Sequence, residues 1–133
     1  MRLFVSLALF ALLTTGAQAQ SAADYVGSWD VVSKVFASTC DKVQEGDAVS
    51  SEWRISSKAG KLVIETTGAE GIPKTLLGEA TPYGIEVLPD GYKEDKHKIR
   101  LRAGGPGLIG GRLSSYKGLQ SCAVFYELTL RRR

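Results

Sequence analysis

The residue best suited to acid–base chemistry near neutral pH is the single histidine, His97. Catalysis by a serine nucleophile would need His97 as its base, but His97 lies in the charged run KEDKHK at 93–98. Such a run is typical of a solvated strand end. Because side chains alternate along a strand, His97 shares a face with Ile99 and Leu101, where we expect a hydrogen-bonding role. We therefore predict no catalytic residue and a protein that is not an enzyme.

Two glycine-rich stretches, 104–107 and 110–111, raise the possibility of a phosphate-binding loop. The P-loop needs a Gly-Lys followed by Ser or Thr, and a helix whose N-terminus meets the phosphate. Neither follows here. We interpret 104–107 as a hairpin turn and Gly110-Gly111 as a bend or bulge in a curved strand.

The chain contains two cysteines, Cys40 and Cys122. A metal site would need further thiolate or imidazole ligands, but there is one histidine and no C-x-x-C spacing, so we predict no metal and no cofactor. In an exported chain an even cysteine number indicates a disulfide, and two cysteines allow one pairing. In the chain-entropy model this bond would stabilise the fold by about 4.5 kcal/mol.

Export is expected from the first residues, 1–19. Arg2 precedes an apolar run at 3–13, and small residues end in Ala17-Gln18-Ala19, the layout of a signal peptide cleaved after Ala19. The apolar run is shorter than the about 20 residues of a membrane span. We therefore predict a periplasmic or secreted protein, with 20–133 as one domain and no integral membrane association.

The charge is mild, with 17 basic and 14 acidic residues and a formal net charge of +3. Proteins that bind nucleic acid usually concentrate basic residues on one face, which this sequence does not indicate. The basic run Arg131-Arg132-Arg133 is interpreted as a solvated tail. We predict no nucleic-acid partner and a monomer.

The elements that must position these residues are short strands. Apolar residues alternate in runs separated by glycine, proline and aspartate, with no sustained helical period, which indicates an all-β fold. The predicted strands are 28–35, 51–57, 61–67, 74–80, 84–88, 97–103, 108–115 and 121–130.

The turns between these runs are mostly of hairpin size, which favours an eight-stranded antiparallel up-and-down β-barrel. Closure of the barrel would remove the exposed strand edges that invite aggregation. A bond between Cys40, after the first run, and Cys122, at the start of the last, would join the two strands that meet on closure. Only 36–50 is long enough to form a lid or a lining loop.

The Gly27-x-Trp29 pair in the first strand resembles the lipocalin and calycin group. That resemblance implies that Trp29 plugs the closed end of the barrel and that an arginine of the last strand packs across it. Arg132 continues the phase of the alternating apolar positions in the last run, so we favour Arg132, with Arg131 as the alternative. A guanidinium over an indole contributes about 0.5–2 kcal/mol.

The lipocalin-like resemblance also implies a ligand in the interior. We predict a small apolar ligand between Trp53, Ile64 and Tyr126, with His97 at the barrel mouth. The interior of an eight-stranded barrel holds one small ligand or is filled by side chains, and both alternatives stay open.

The chain is also similar to small exported bacterial barrels that inhibit secreted metalloproteases. In that group a Gly-x-Trp strand precedes a cysteine and a short N-terminal trunk enters the enzyme's cleft. Here Trp29 is followed by Cys40, and 20–24 is small and polar. The alternative function is therefore inhibition of a secreted hydrolase, through 20–24 or through the 36–50 loop.

Overall fold

The computed structural model describes residues 21–88, 97–117 and 122–133. The side chains of His97 and Lys117, the predicted signal peptide and Gln20 lie outside this description. A short 3-10 helix, Ala22–Tyr25, precedes eight strands. The strands are β1 (Gly27–Ser38), β2 (Ala48–Lys58), β3 (Lys61–Glu65), β4 (Thr75–Thr81), β5 (Gly84–Val87), β6 (His97–Ala103), β7 (Leu108–Lys117) and β8 (Cys122–Arg132).

Each strand pairs antiparallel with its neighbour in the chain, and β1 also pairs antiparallel with β8. The sheet is therefore a closed barrel with the strands in sequence order, and the prediction of an eight-stranded up-and-down barrel is confirmed. No helix within the described ranges is long and apolar enough to cross a membrane.

The core follows from the two-residue period of the strands. In β1, Trp29, Val31, Ser33 and Val35 are buried while the residues between them are exposed. The other strands add inward-facing aliphatic side chains to the same interior, including Ile55, Leu62, Ile64, Leu76, Ile85, Ile99, Leu101, Ile109, Leu113, Leu128 and Leu130.

The two ends of the barrel differ. At the tryptophan end, where β1 begins and β8 ends, tight turns join β2 to β3, β4 to β5 and β6 to β7. At the cystine end, where β1 ends and β8 begins, the loops 39–47 and 66–74 are longer. The disulfide Cys40–Cys122 links β8 to the residues after β1 there, with Cα atoms 5.1 Å apart, as predicted.

The predicted 36–50 loop is shorter in the structure. Residues 36–38 belong to β1 and 48–50 to β2, because β1 continues past its last core residue and β2 begins before its first inward-facing residue. Ala37 and Ser38 pair with β8 after a register shift that follows Val35. The loop is therefore 39–47.

Of the bend or bulge predicted at Gly110-Gly111, the structure contradicts the bulge. Strand β7 runs in continuous register against both β6 and β8 at these residues. Gly111 instead permits close approach of two strands, since a Cβ there would lie 2.5 Å from the Arg100 carbonyl oxygen. The register shift of the barrel lies in β1, between Val35 and Ala37.

Candidate functional site

Trp29 is buried at the tryptophan end of the barrel. The Arg132 guanidinium carbon lies 5.0 Å from the centroid of the Trp29 ring, and the two residues are directly opposite in the β1–β8 register. Trp29 Nε1 donates a hydrogen bond of 2.9 Å to the Tyr25 carbonyl oxygen. Gly27, with φ 141°, lets the chain turn from the 3-10 helix into β1. Arg131 lies opposite Asp30 in the β1–β8 register, at a position of the outer face.

Trp53 lies beside Trp29 but has different surroundings. The two residues are opposite each other in β1 and β2, and Trp53 is fully buried. Within the described part of the chain, the Trp53 Nε1 donor has no hydrogen-bond partner. The same is true of the Tyr25 hydroxyl, whose residue is also buried. The barrel therefore contains one indole N–H and one phenol hydroxyl that are buried and that no described residue hydrogen-bonds.

The cystine end is crossed by the loop 66–74. This loop joins β3 to β4, yet Glu70 accepts a hydrogen bond of 2.5 Å from Ser33 Oγ of β1 at its Oε1. A Cβ on Gly71 would lie 3.3 Å from Ser115 Oγ of β7. Reaching β1 and β7 from β3 requires the loop to cross the mouth of the barrel. Glu70, 1% exposed, and Ile72 are thereby buried.

Glu70 brings a carboxylate into this buried region. Its Oε2 has no hydrogen-bond partner among the described residues, and neither has Ser51 Oγ on the inward face of β2. Burial, and then the charge of Glu70, raise the pKa of the Tyr126 phenol. Ser33, Ser51, Glu70, Ser115 and Tyr126 thus place polar atoms on the inner face of the barrel, and we call this set of residues the serine–glutamate cluster.

The predicted ligand residues are distributed along the barrel. Trp53 lies opposite Trp29 and Tyr126 lies opposite Val35, which are six positions apart on β1, or about 20 Å along the strand. Ile64 packs in the β2–β3–β4 wall, opposite Ile55 and Leu76 in the register. The structure does not bring Trp53 and Tyr126 into one small pocket.

His97 lies opposite Ser115 in the β6–β7 register, at the cystine end. Its side chain lies outside the described atoms. At the level of the backbone, the structure brings His97 close to a member of the serine–glutamate cluster.

Sequence reasoning missed four residues of the serine–glutamate cluster, namely Ser33, Ser51, Glu70 and Ser115. Serine at an inward strand position breaks the apolar alternation, and this signal is present at 33, 51 and 115. The position of Glu70 follows from a loop conformation that no period encodes. An isoleucine at 72, between Gly71 and Pro73, was the available sign that this loop buries a side chain.

The two segments expected to serve an inhibitor are both attached to the barrel. Residues 22–25 form the 3-10 helix, and buried Tyr25 fixes that helix to the tryptophan end. In the loop 39–47, Thr39 exchanges hydrogen bonds with Ala123, and Gly46 N donates one to the Val35 carbonyl oxygen. Inhibition through either segment stays a prediction.

No group of three or more His, Cys, Asp or Glu residues within 21–88, 97–117 and 122–133 is placed to hold a metal ion. Comparison of the chain with protein-family models, with curated proteins and with solved structures found no match. The lipocalin-like resemblance therefore rests on the architecture, a closed antiparallel barrel of eight strands.

Proposed function

We propose that this chain is an exported, non-enzymatic binding protein that holds one small molecule inside its barrel. The observation that carries the proposal is the set of buried polar atoms without partners among the described residues: Tyr25 Oη, Ser51 Oγ, Trp53 Nε1 and Glu70 Oε2.

Leaving such atoms unpaired is costly. A buried donor or acceptor without a partner costs about 1–3 kcal/mol, and in most proteins over 90% of buried polar groups are paired. Ser51 and Trp53 lie on the same inward face of β2, and Glu70 is bonded to inward-facing Ser33. A polar molecule within the barrel, either water or a ligand, would satisfy these atoms.

The donor and acceptor types define the ligand chemistry. Trp53 Nε1 is a donor and needs an acceptor, whereas a carboxylate oxygen of Glu70 needs a donor. The surrounding walls are aliphatic, formed by residues such as Ile64 and Leu76. This combination favours a small amphipathic molecule with both an acceptor and a hydroxyl or amine, which refines the apolar ligand expected from the sequence.

Export is part of the proposal. The Cys40–Cys122 disulfide is compatible with an oxidising compartment, where such bonds form and persist. The predicted signal peptide at 1–19 points the same way. A carrier or scavenger in the periplasm or medium would fit both features.

The test is native mass spectrometry of the protein purified from its own host's periplasm or medium, followed by denaturation and extraction. We expect a reproducible passenger of one mass per barrel. In Ser51→Ala the occupied fraction should fall at least severalfold, because the passenger loses a hydrogen-bonding partner. The matched control is Ser50→Ala, the neighbouring outward-facing serine, which should leave occupancy unchanged.

Two results would contradict the proposal. One is an empty barrel in every preparation, together with unchanged tryptophan emission when the small-molecule fraction of the host extract is added. Both tryptophans, Trp29 and Trp53, face the interior, so a bound ligand should alter their emission. The other is a passenger whose occupancy is equally reduced by both serine variants.

A further inference from the structure

The outer face of the barrel carries a depression of about 510 Å³ over strands β6 to β8. Its lining consists of Arg100, Arg102, Gly110, Gly111, Arg112 and Glu127. Small-molecule sites commonly measure about 300–1,000 Å³, so the space exceeds that needed by a bare ion. The depression lies on the opposite side of the barrel wall from the interior proposed above.

The depression exists because of a missing side chain. Gly110 occupies an outward position of β7, in the row of Arg112 and opposite Arg102 of β6. A Cβ at Gly110 would meet no heavy atom within 4 Å, so the sequence leaves space there that any side chain would occupy.

The charges around this space repel one another. Arg100 lies directly opposite Arg112 in the β6–β7 register. Like charges at such positions are destabilising, whereas opposite charges contribute about 0.2–1 kcal/mol. Their juxtaposition therefore costs stability that a bound anion would return.

Within the described part of the chain, no carboxylate lies within 4.0 Å of the Arg100, Arg102 or Arg112 guanidinium. Arg133 provides the contrast, because it forms ion pairs with both Asp30 and Glu52. Arg112 lies over the Phe36 ring, 5.1 Å from its centroid, which fixes one wall of the depression. Glu127, opposite Arg112, is the acidic residue at the rim.

We propose that this depression binds a tetrahedral oxyanion, the phosphate or sulfate group of a small molecule. Each guanidinium presents a planar set of N–H donors that matches such oxygens bidentately. Three guanidiniums suit a dianion better than the single charge of a carboxylate. The remaining volume would accommodate the organic part of the ligand.

The first experiment titrates the purified protein with inorganic phosphate and with glycerol 3-phosphate, followed by amide chemical shifts in NMR spectra. We expect saturable shifts confined to β6, β7 and β8, with glycerol 3-phosphate binding more tightly. Arg102→Ala should weaken binding about tenfold or more. Glu127→Gln should strengthen it, because a negative charge leaves the rim.

Two variants separate a formed site from diffuse attraction by positive charge. Gly110→Val keeps every charge and places a branched side chain between the arginines, where the oxyanion would lie, so binding should fall about tenfold or more. The same spectra check its folding. Arg54→Ala removes one exposed arginine from β2, on another part of the barrel, and should leave binding unchanged. Unchanged affinity in Gly110→Val, equal losses in Arg54→Ala and Arg102→Ala, or no saturable shift would each overturn the proposal.

A second experiment distinguishes a lipid headgroup from a soluble phosphate ester as the ligand. Phosphatidylcholine vesicles with and without phosphatidic acid are sedimented with the protein. Arg102-dependent binding to the acidic vesicles that millimolar glycerol 3-phosphate does not displace would indicate a lipid headgroup, and displacement would indicate a soluble ester. Binding to polyglutamate in the absence of any phosphate binding would overturn the proposal in favour of an acidic protein partner.

Discussion

At the scale of single residues, the two indole N–H groups inside the barrel differ in their hydrogen-bond partners. The Trp29 N–H is bonded to the Tyr25 carbonyl oxygen, and its ring lies beneath Arg132. The Trp53 N–H, opposite it, has no acceptor in the described part of the chain. The contacts of the Trp29 indole are therefore made within the barrel end itself, whereas the described residues offer no acceptor to the Trp53 N–H.

The first prediction concerns Tyr126 and Glu70. Burial and the charge of Glu70 raise the pKa of the Tyr126 phenol, so the folded protein favours the neutral phenol. The contribution of Tyr126 to the free energy of unfolding is complete below the pKa of an unfolded tyrosine, about 10. It is lost as the pH rises through the pKa of Tyr126 in the folded protein. Glu70→Gln removes the charge, so the Tyr126 pKa should fall while remaining above about 10.

The measurement is an NMR titration of tyrosine Cζ between about pH 8 and 12, chosen to bracket the ordinary tyrosine value. A Tyr126 titration that Glu70→Gln leaves unmoved would show that the carboxylate does not act on the phenol.

At the scale of elements, local patterns predicted more than long-range ones. The alternation of apolar and polar residues in 28–35 and 97–103 predicted β1 and β6, because a two-residue period is visible from adjacent residues alone. The end of β1 was placed too early and the start of β2 too late, because the outer residues of both strands pair with a neighbouring strand without facing the core. The sequence predicts that 66–74 connects two strands, but not that this loop crosses the barrel mouth. That position depends on its contacts with β1 and β7.

The same argument applies to the candidate site. Trp53, Ile64 and Tyr126 were correctly expected from alternation to face inward. Their spacing along the barrel depends on the register between β1, β2 and β8, which no single run of residues contains. The arginine depression likewise depends on the register of the β6–β7 hairpin, which places Arg100 directly opposite Arg112.

The second prediction concerns the turn between β2 and β3. Ala59 has φ 53° and Gly60 has φ 78°, so both central residues occupy the left-handed region. Glycine and asparagine adopt it readily, whereas for other residues it costs about 1–2 kcal/mol. Ala59→Asn should therefore raise the free energy of unfolding by about 0.5–1 kcal/mol.

Urea denaturation of the two proteins measures this difference. The matched control is Ala69→Asn, an exposed alanine in the loop 66–74 for which no positive φ is found. A gain in both variants would trace the effect to asparagine itself, and no gain in Ala59→Asn would mean that the turn relaxes without strain.

At the scale of the whole molecule, closure depends on one seam, the pairing of β1 with β8. This ladder extends from Trp29 opposite Arg132 to Ser38 opposite Val124. One end carries the stacked indole and guanidinium, and the other carries the disulfide. Because the seam joins the first strand to the last, its contacts have the largest sequence separation in the barrel and therefore the largest loop-closure entropy.

The last prediction is that the disulfide stabilises this seam without being needed to form it. The chain-entropy model gives about 4.5 kcal/mol for a loop of this length, as an upper value. The Cys40→Ala/Cys122→Ala protein should therefore be folded but less stable, with a lower urea midpoint. Near-UV circular dichroism of the two interior tryptophans should be unchanged, because the β1–β8 ladder and the Trp29–Arg132 contact remain. Loss of that signal without denaturant would show instead that the ladder alone cannot close the barrel.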